Sequence, residues 1–362
     1  MKRNASIIYG LIRPPFAVLL GLCVAVGMAQ TGHPPTVAHQ VVALVAVAGW
    51  MLFAVAVNDL ADQRIDCVNL SNDPRRVLVT GHATRSQVTV IAILAGLAAI
   101  GAATTLGGAS IVVVSCGLAL AAAYSLPPLR LSARGALTSA LLPVGYVTVP
   151  YLIGAFSAGA GISELSPRLL IGLYLGFMGR LVLKDFRDEH GDRLYGKRTM
   201  LVRHGRTRTC VFAAVFWTAG ATSALGAFTG RPATLAALIA YEVVVLVMLA
   251  DITRDRHGVR DVANIAAIAT VGRALIYTVL IQLATTINGW TTTSQSLIVG
   301  LTTIASLGMA WECRRELLPV TGPLTDRDRQ VFRVPRALPD SVFVARVREA
   351  RSLSRERPLI NA

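Results

Sequence analysis

Charged residues are scarce in this sequence of 362 residues, at 15% of the total, whereas soluble proteins carry about 25%. Acidic residues are the scarcer kind: 20 stand against 35 basic residues, which leaves a net charge of +15. Lysine is almost missing, since all but three of the basic residues are arginines. With 54% hydrophobic residues and a mean hydropathy of +0.58, this composition excludes a disordered chain and disfavours an ordinary soluble enzyme.

Cysteine is also rare. Its five residues show no paired spacing, so the sequence predicts neither a disulfide framework nor a zinc site. The excess of arginine raises the question of nucleic-acid binding. The arginines lie mostly in short loops between apolar stretches, however, and no soluble basic surface remains to carry such a function. We therefore predict a lipid environment and no nucleic-acid partner.

Long apolar stretches recur along the chain, and about 18 such residues are enough to cross a bilayer. Helices satisfy their own backbone hydrogen bonds in lipid, which isolated strands cannot do. The sequence therefore predicts an all-α multi-pass membrane protein. The ten predicted spans are roughly 14–32, 36–57, 88–108, 109–126, 136–158, 166–183, 209–229, 232–250, 263–285 and 295–311.

The loops between these spans are alternately basic and nearly free of basic residues. The basic loops are 58–87, 127–135, 184–208 and 251–262. Basic loops face the cytoplasm in membrane proteins, so we expect these loops and both termini on the cytoplasmic side of the cell membrane. The segment 313–362, with eleven arginines against six acids, agrees with a cytoplasmic tail.

Eight of the twenty acids lie in or next to two short windows at the cytoplasmic ends of predicted spans, 58–66, with Asp73 beyond it, and 184–192. Each window holds three aspartates at positions i, i+3 and i+7, which share one face of a helix. Magnesium typically binds one or two carboxylates together with substrate phosphates and water. We therefore predict that the two windows clamp one diphosphate through Mg²⁺. The alternative is that they are solvated loop charges balanced by neighbouring arginines.

The two windows resemble the aspartate motifs of the UbiA-type intramembrane prenyltransferase superfamily. They read Asn58-Asp-x-x-Asp62-x-x-x-Asp66 and Asp185-x-x-Asp188-x-x-x-Asp192. Segments 73–81 and 196–205 are similar to the family's segments after each motif, although Arg76 stands where proline is frequent. The stretch Tyr124-Ser-Leu-Pro-Pro128 resembles the branch of homogentisate prenyltransferases and chlorophyll synthases.

This resemblance implies a helical bundle around a central cavity, with nine core helices and here a tenth. It implies an intramembrane prenyltransferase domain at 1–290, an extra helix at 291–312 and a basic tail at 313–362. Members of the superfamily use Mg²⁺ to move a prenyl group from a polyprenyl diphosphate to a lipophilic acceptor, commonly an aromatic ring.

The resemblance also assigns site residues. Asn58, Asp59, Asp62, Tyr124, Asp185 and Asp188 are the predicted catalytic residues. The predicted metal ligands are Asp59, Asp62, Asp66, Asp185, Asp188 and Asp192. Of the predicted diphosphate-binding cations, the resemblance supplies Arg130. The others are predicted from their positions beside the windows or inside a span: Arg75, Arg180, Lys184, Lys197 and Arg198. The cations of the basic loops also serve as a plain topology signal.

Ionisable residues inside spans are costly and suggest function. We expect Arg180, one turn before Lys184, to face the diphosphate, and Glu242 and Arg273 to pair across neighbouring helices. Arg13, before two prolines, is interpreted as the start of a helix. His190 is interpreted as a hydrogen-bond partner rather than as a base.

Other functions remain open from the sequence. Within the superfamily, the alternative is phosphoribosyl transfer from phosphoribosyl diphosphate to a polyprenyl phosphate. An ion-coupled transporter is the non-enzyme alternative, but transporters place their acids near the midplane and these acids lie at helix ends. CDP-alcohol phosphotransferases need glycine after the second aspartate, and Gln63 follows Asp62.

Overall fold

The computed structural model describes residues 2–33, 35–69, 73, 75–134, 136–194, 196, 198–254 and 258–317. These residues form thirteen α-helices and no strand. The helices are α1 Lys2–Ile12, α2 Pro14–Ala29, α3 Val37–Asn69, α4 Arg85–Leu106, α5 Gly108–Ser125, α6 Ala136–Pro143, α7 Val149–Ser157, α8 Pro167–Leu181, α9 Asp185–Leu194, α10 Met200–Leu225, α11 Pro232–Arg254, α12 Gly258–Ile287 and α13 Thr292–Leu317.

The prediction of an all-α multi-pass membrane fold is confirmed. Seven segments of the described chain are long and apolar enough to cross a membrane: α3, α4, α5, the α6–α7 unit, α11, α12 and α13. The other three predicted spans, 14–32, 166–183 and 209–229, coincide with α2, α8 and α10. Both α2 and α8 are short, with 16 and 15 residues.

Local chemistry sets where these helices begin. At Arg13 the backbone has a φ of 47° and a ψ of 76°, a left-handed conformation that is uncommon outside glycine, and the chain bends there between α1 and α2. The α4 helix begins with a capping box in which the Thr84 and Gln87 side chains each bond the other residue's backbone N–H. A break at Gly205, with a φ of 76°, divides α10 near its start.

Glycines allow the helices to cross closely, as small residues do in membrane bundles. At the crossing of α2 and α7, a side chain on Gly27 would collide with the Tyr151 carbonyl, and one on Gly154 with that of Val24. The α8–α10 crossing depends in the same way on Gly172 and Gly220. These two crossings fix α2 against α7 and α8 against α10.

The two aspartate windows lie on helices that touch. The first occupies the last turns of α3, the second forms α9, and α3 and α9 pack against each other. A single π-helical turn at Val144–Thr148 joins α6 to α7 and presents Tyr146 between them. Because π-turns are frequent at functional sites, this turn marks the same region.

The helix α13 is joined to its neighbours by polar contacts at both ends. Gln295 accepts hydrogen bonds from Gln282 of α12 at 2.9 Å and from Arg231 at 2.8 Å. At the other end, Arg314 forms an ion pair with Asp251 of α11 at 2.9 Å. A helix therefore lies where the sequence predicts the extra one, although the domain boundaries stay predictions and most of the basic tail lies outside the described residues.

Candidate active site

A cavity of about 200 Å³ lies where α2, α3, α5, α6 and α9 meet. Apolar side chains, among them Phe16, Leu20 and Met51, form one part of its wall. The polar part combines residues of both aspartate windows with other predicted site residues: Asn58, Asp62, Asp66, Tyr124, Lys184, Asp185 and Asp192. The structure thus brings together two windows that lie more than 100 residues apart in the sequence.

Arginines hold two carboxylates of the first window. Asp59, which is 2% exposed, accepts hydrogen bonds from Arg13 and from Arg76, the latter at 2.6 Å. The same Arg76 lies 2.9 Å from an Asp66 oxygen. Since a buried carboxylate is costly unless it is paired, Arg76 makes it possible for two aspartates to lie close together. Arg13 and Arg76 also line the cavity, whereas Asp59 lies behind its wall.

Asp62 faces the cavity and has separate partners. Arg130 donates to one of its oxygens at 3.2 Å, and the Asn58 amide donates to the other at 3.3 Å. Arg130 itself has a left-handed backbone with a φ of 36°, in the short segment between α5 and α6. Such outliers cluster at functional sites, and this one aims the guanidinium at the first window.

The second window contributes Asp185 and Asp192, which are 5% and 3% exposed and lie on the cavity wall. Lys184 precedes them at the end of a 3₁₀ turn and also lines the cavity. Asp188 lies on α9, but its side chain is outside the described residues, as is that of His190. Lys197 also lies outside the described residues.

Two of the predicted diphosphate-binding cations point away from the cavity. Arg75 is half exposed and pairs with Asp73 at 2.7 Å. Partial burial raises the pKa of the Asp73 carboxyl, but hydrogen bonds from Arg75 outweigh that effect and hold the pKa at about 2. Arg198 is exposed in the segment before α10 and is not among the residues that line the cavity.

The intramembrane charges differ from expectation. Arg180 lines a second, smaller cavity and not the one that holds the aspartates. The expected pairing of Glu242 with Arg273 is wrong: Glu242 accepts a hydrogen bond from Thr218 at 2.5 Å, and Arg273 donates to Thr270 at 3.1 Å. Thr218 of α10 thus binds one oxygen of the Glu242 carboxylate across to α11, whereas the other oxygen is buried and has no hydrogen-bond partner among the described residues.

Sequence reasoning misses several groups of the cavity. In the sequence, Arg76 stands out only as a departure from a frequent proline, and Arg13 only as a helix start. Only their positions in the chain point to the site. Arg76 follows the first aspartate window, and Arg13 lies at the chain bend that faces this window. The buried hydroxyls of Ser125 and Ser132 also line the cavity and have no hydrogen-bond partner among the described residues.

The acidic side chains that line the cavity offer carboxylate oxygens, and oxygen is the ligand atom that Mg²⁺ prefers. The chemistry of the cavity therefore suits Mg²⁺. The buried Oδ2 of Asp59 has no hydrogen-bond partner among the described residues. No three acidic, histidine or cysteine side chains in the described part of the chain lie close enough to hold an ion by themselves. Magnesium typically takes one or two carboxylates and completes its shell with phosphate oxygens and water.

Multiple membrane-crossing helices, a partly apolar cavity and two aspartate windows on its wall define a class of membrane proteins with an embedded polar site. The chain belongs to the UbiA prenyltransferase family, whose sequence profile matches residues 18–271. Both the predicted family and the predicted fold class are thereby confirmed.

Individual relatives are distant. The bacteriochlorophyll synthase 34 kDa chain of Chloroflexus aurantiacus is 29% identical over 150 residues, which cover 41% of this chain and 47% of the relative. The chain thus spans about half the length of that protein. Digeranylgeranylglyceryl phosphate synthase of Methanoculleus marisnigri is 31% identical over 221 residues, covering 58% of this chain and 72% of the relative.

Solved structures share the fold. A UbiA homolog from Archaeoglobus fulgidus, bound to GPP and Mg²⁺, superposes with a TM-score of 0.53 at 16% identity. The superposition covers 85% of this chain and 99% of the homolog. Nearly the whole homolog therefore corresponds to part of this chain.

Proposed function

We propose that this protein is a membrane-embedded enzyme that transfers a prenyl group from a polyprenyl diphosphate to a lipophilic, commonly aromatic, acceptor. The observation that carries the proposal is the placement of Asp62 and Asp66 on the same cavity wall as Asp185 and Asp192. Carboxylates from two distant windows would repel one another unless a cationic group lies between them. A diphosphate with divalent metal fits this arrangement.

In the proposed site, Asp62 and Asp66 would hold metal on one side and Asp185, Asp188 and Asp192 on the other. Bound Mg²⁺ would neutralise the charge that develops on the diphosphate as it leaves the allylic carbon. Asp59, which is tied to Arg13 and Arg76, would act mainly by positioning these two arginines at the cavity wall. The metal-ligand role predicted for Asp59 stays a prediction.

Cations on the wall would bind the phosphate oxygens directly. Lys184, Arg13 and Arg76 face the cavity, and Arg130 reaches its edge through Asp62. Charge-assisted hydrogen bonds from such groups are shorter and stronger than neutral ones. The hydroxyl of Tyr124 and the unpartnered hydroxyls of Ser125 and Ser132 offer further contacts on the side of α5.

The apolar part of the cavity would protect the reactive intermediate. Loss of diphosphate leaves an allylic cation, which water would convert to an alcohol. Phe16, Leu20, Met51 and Leu142 line the wall away from the aspartates and would exclude water there while they accommodate the prenyl chain. A dry site also strengthens every electrostatic contact with the leaving group.

The relatives support prenyl transfer and leave the acceptor open. Their printed names include a bacteriochlorophyll synthase chain and digeranylgeranylglyceryl phosphate synthase, whose acceptors differ in chemistry. The Archaeoglobus homolog has been captured with GPP and Mg²⁺. We therefore assign the donor class and the metal to this chain, and treat an aromatic acceptor as the first candidate.

The test is diphosphate release by the purified full chain in lipid nanodiscs. Geranyl diphosphate with Mg²⁺ and a lipid extract that supplies the acceptor should release diphosphate as the prenyl group is transferred, and EDTA should stop the release. Phosphoribosyl diphosphate with a polyprenyl phosphate forms a parallel arm. Turnover in that arm alone would replace prenyl transfer with the phosphoribosyl alternative, and ion flux without turnover in either arm would indicate a transporter. Mass spectrometry of lipids from cells with and without the protein would then identify the acceptor.

A further inference from the structure

A second cavity, of about 40 Å³, lies between α8, α10 and α12. Its wall is made of glycine, aliphatic and aromatic residues, with one charged side chain among them, Arg180. The aromatic residues of this wall are Phe177 and Trp217. The Phe177 ring packs on Tyr146, which lines the aspartate cavity, with ring centroids 5.2 Å apart. The two cavities are therefore neighbours with different walls.

Arg180 has no acidic partner in the described part of the chain. Its guanidinium lies over the Phe177 ring, 5.3 Å from the centroid, and makes no ion pair or hydrogen bond with any described residue. Arg180 packs against α12 at the residue before Arg273, since a side chain on Gly272 would lie 3.5 Å from the Arg180 Cδ. Arg273 in turn has only the hydroxyl of Thr270 as partner among the described residues, and Glu242 accepts a hydrogen bond from Thr218 through one carboxylate oxygen.

A guanidinium without an anionic partner is unfavourable inside membrane-spanning helices. Charged side chains in this environment are costly and pair with groups of opposite sign or mark a binding site. The cation–π contact with Phe177 compensates only part of that cost. The cavity beside Arg180 is where a neutralising group could lie.

We propose that Arg180 forms a carboxylate-binding site inside the membrane domain, separate from the aspartate cavity. The volume of about 40 Å³ equals roughly three to four water-sized spheres, which is enough for a carboxylate head group. The planar guanidinium matches a carboxylate in two parallel hydrogen bonds. The apolar wall fits an acid attached to a lipophilic body.

Two sources could supply this carboxylate. One is a fatty acid of the bilayer, which requires nothing of the aspartate cavity. The other is an acidic prenyl acceptor whose carboxylate is held beside Phe177 while its body reaches past Tyr146; this second source rests on the proposed function. The experiment therefore uses a long-chain and an aromatic acid as separate probes.

The binding test measures the thermal stabilisation of the detergent-purified full chain by dodecanoate and by benzoate. Their methyl esters, chloride and inorganic phosphate serve as comparison ligands. We expect at least one acid to raise the melting temperature at concentrations where its ester and both inorganic anions do not. Equal shifts from acid and ester, or from acid and chloride, would overturn the proposal. A stronger effect of dodecanoate identifies the bilayer source, and one of benzoate the acceptor source.

Variants locate the site. A side chain added at Gly176 meets no atom within 4 Å and this residue lines the small cavity, so Gly176→Val should fill it while leaving every charge in place. We expect Gly176→Val and Arg180→Gln each to weaken acid binding roughly tenfold or more. Arg168→Gln, at an exposed position of the same helix, is the matched control and should bind as the unmodified chain does.

The outcome of Gly176→Val is decisive if Arg180→Gln does not fold. Unchanged acid binding in Gly176→Val would place the carboxylate elsewhere, for example on the arginines of the aspartate cavity, and overturn the proposal. Diphosphate release from geranyl diphosphate by the unmodified chain, measured with no acid added, reports separately on the proposed function. A failure of one proposal can thus be distinguished from a failure of the other.

Discussion

At the scale of single residues, the candidate site is organised by arginines that hold buried carboxylates. Arg76 contacts both Asp59 and Asp66, and Arg13 contacts Asp59 from the chain bend between α1 and α2. These contacts keep the first window folded as a helix with its acids on one side. A buried carboxylate that loses its partner is strongly destabilising.

Neighbouring arginines allow this to be tested. Arg76→Gln should lower the free energy of unfolding by about 3 kcal/mol, because it leaves Asp59 and Asp66 short of a charged partner in a buried position. Arg75→Gln changes the adjacent residue, whose side chain is half exposed and pairs at the surface with Asp73, and should cost less than about 1 kcal/mol. Melting of both variants in detergent measures the difference. Equal melting temperatures would show that Arg76 does not support the window.

The aspartates can be predicted from the sequence and these arginines cannot. Spacing at i, i+3 and i+7 fixes one helix face, so the sequence alone places Asp62 and Asp66 on the same side of a helix. Arg76 is one of many arginines in a basic loop, and Arg13 precedes two prolines that only indicate a helix start. Which arginine reaches which carboxylate depends on the chain path between α3 and α4 and on the bend at Arg13, and neither follows from a local pattern.

At the scale of helices, packing depends on where glycines allow two backbones to meet. Gly27 of α2 faces the carbonyl of Tyr151 in α7, whereas Gly21 of the same helix faces open space. Since α2 carries Phe16 and Leu20 to the cavity wall, this crossing also shapes the apolar part of the site.

Alanine at these two glycines should have opposite effects. Gly27→Ala forces α2 away from α7, and overpacking of this kind costs about 1–3 kcal/mol. Gly21→Ala meets nothing within 4 Å and should be neutral or stabilise the protein by roughly 0.5 kcal/mol. The yield of monodisperse protein and its melting temperature in detergent report both effects. A Gly27→Ala variant as stable as Gly21→Ala would contradict the described crossing.

Hydropathy predicts the existence of the helices better than their lengths. The spans 36–57 and 232–250 correspond to long helices, α3 and α11, because their apolar runs are uninterrupted. The spans 14–32 and 166–183 are too long, since α2 ends at Ala29, before a turn in which Gly32 has a φ of 77°, and α8 ends where a 3₁₀ turn at Val182–Lys184 redirects the chain into α9. The second exception lies at the site, where local rules are most often broken.

At the scale of the whole molecule, the charge distribution predicts which side of the membrane holds the site. Both aspartate windows belong to basic loops, and basic loops face the cytoplasm. We therefore propose that the cavity receives its diphosphate and metal from the cytoplasm. The extra helix α13 is held against α11 and α12 by its polar contacts, and none of its residues lines the aspartate cavity.

Cysteine labelling tests this orientation. In a chain whose five native cysteines are replaced, Ser163→Cys introduces an exposed thiol in the loop before α8, and His82→Cys one in the loop before α4. A membrane-impermeant maleimide should label Ser163→Cys in intact cells and His82→Cys only after the cells are opened. The reverse pattern would invert the proposed topology.

The central claim is that the two aspartate windows act on one diphosphate. The most direct measurement is Mg²⁺-dependent diphosphate release from geranyl diphosphate, with the same acceptor-containing lipid extract, by Asp62→Asn and Asp185→Asn in lipid nanodiscs, with Asp73→Asn as the matched control. The side chain of Asp73 pairs with exposed Arg75, away from the cavity. We predict a loss of roughly 100-fold or more in each window variant, the size expected when a group that stabilises the leaving charge is removed, and near-normal release in the control. Release that persists in both window variants would contradict the account.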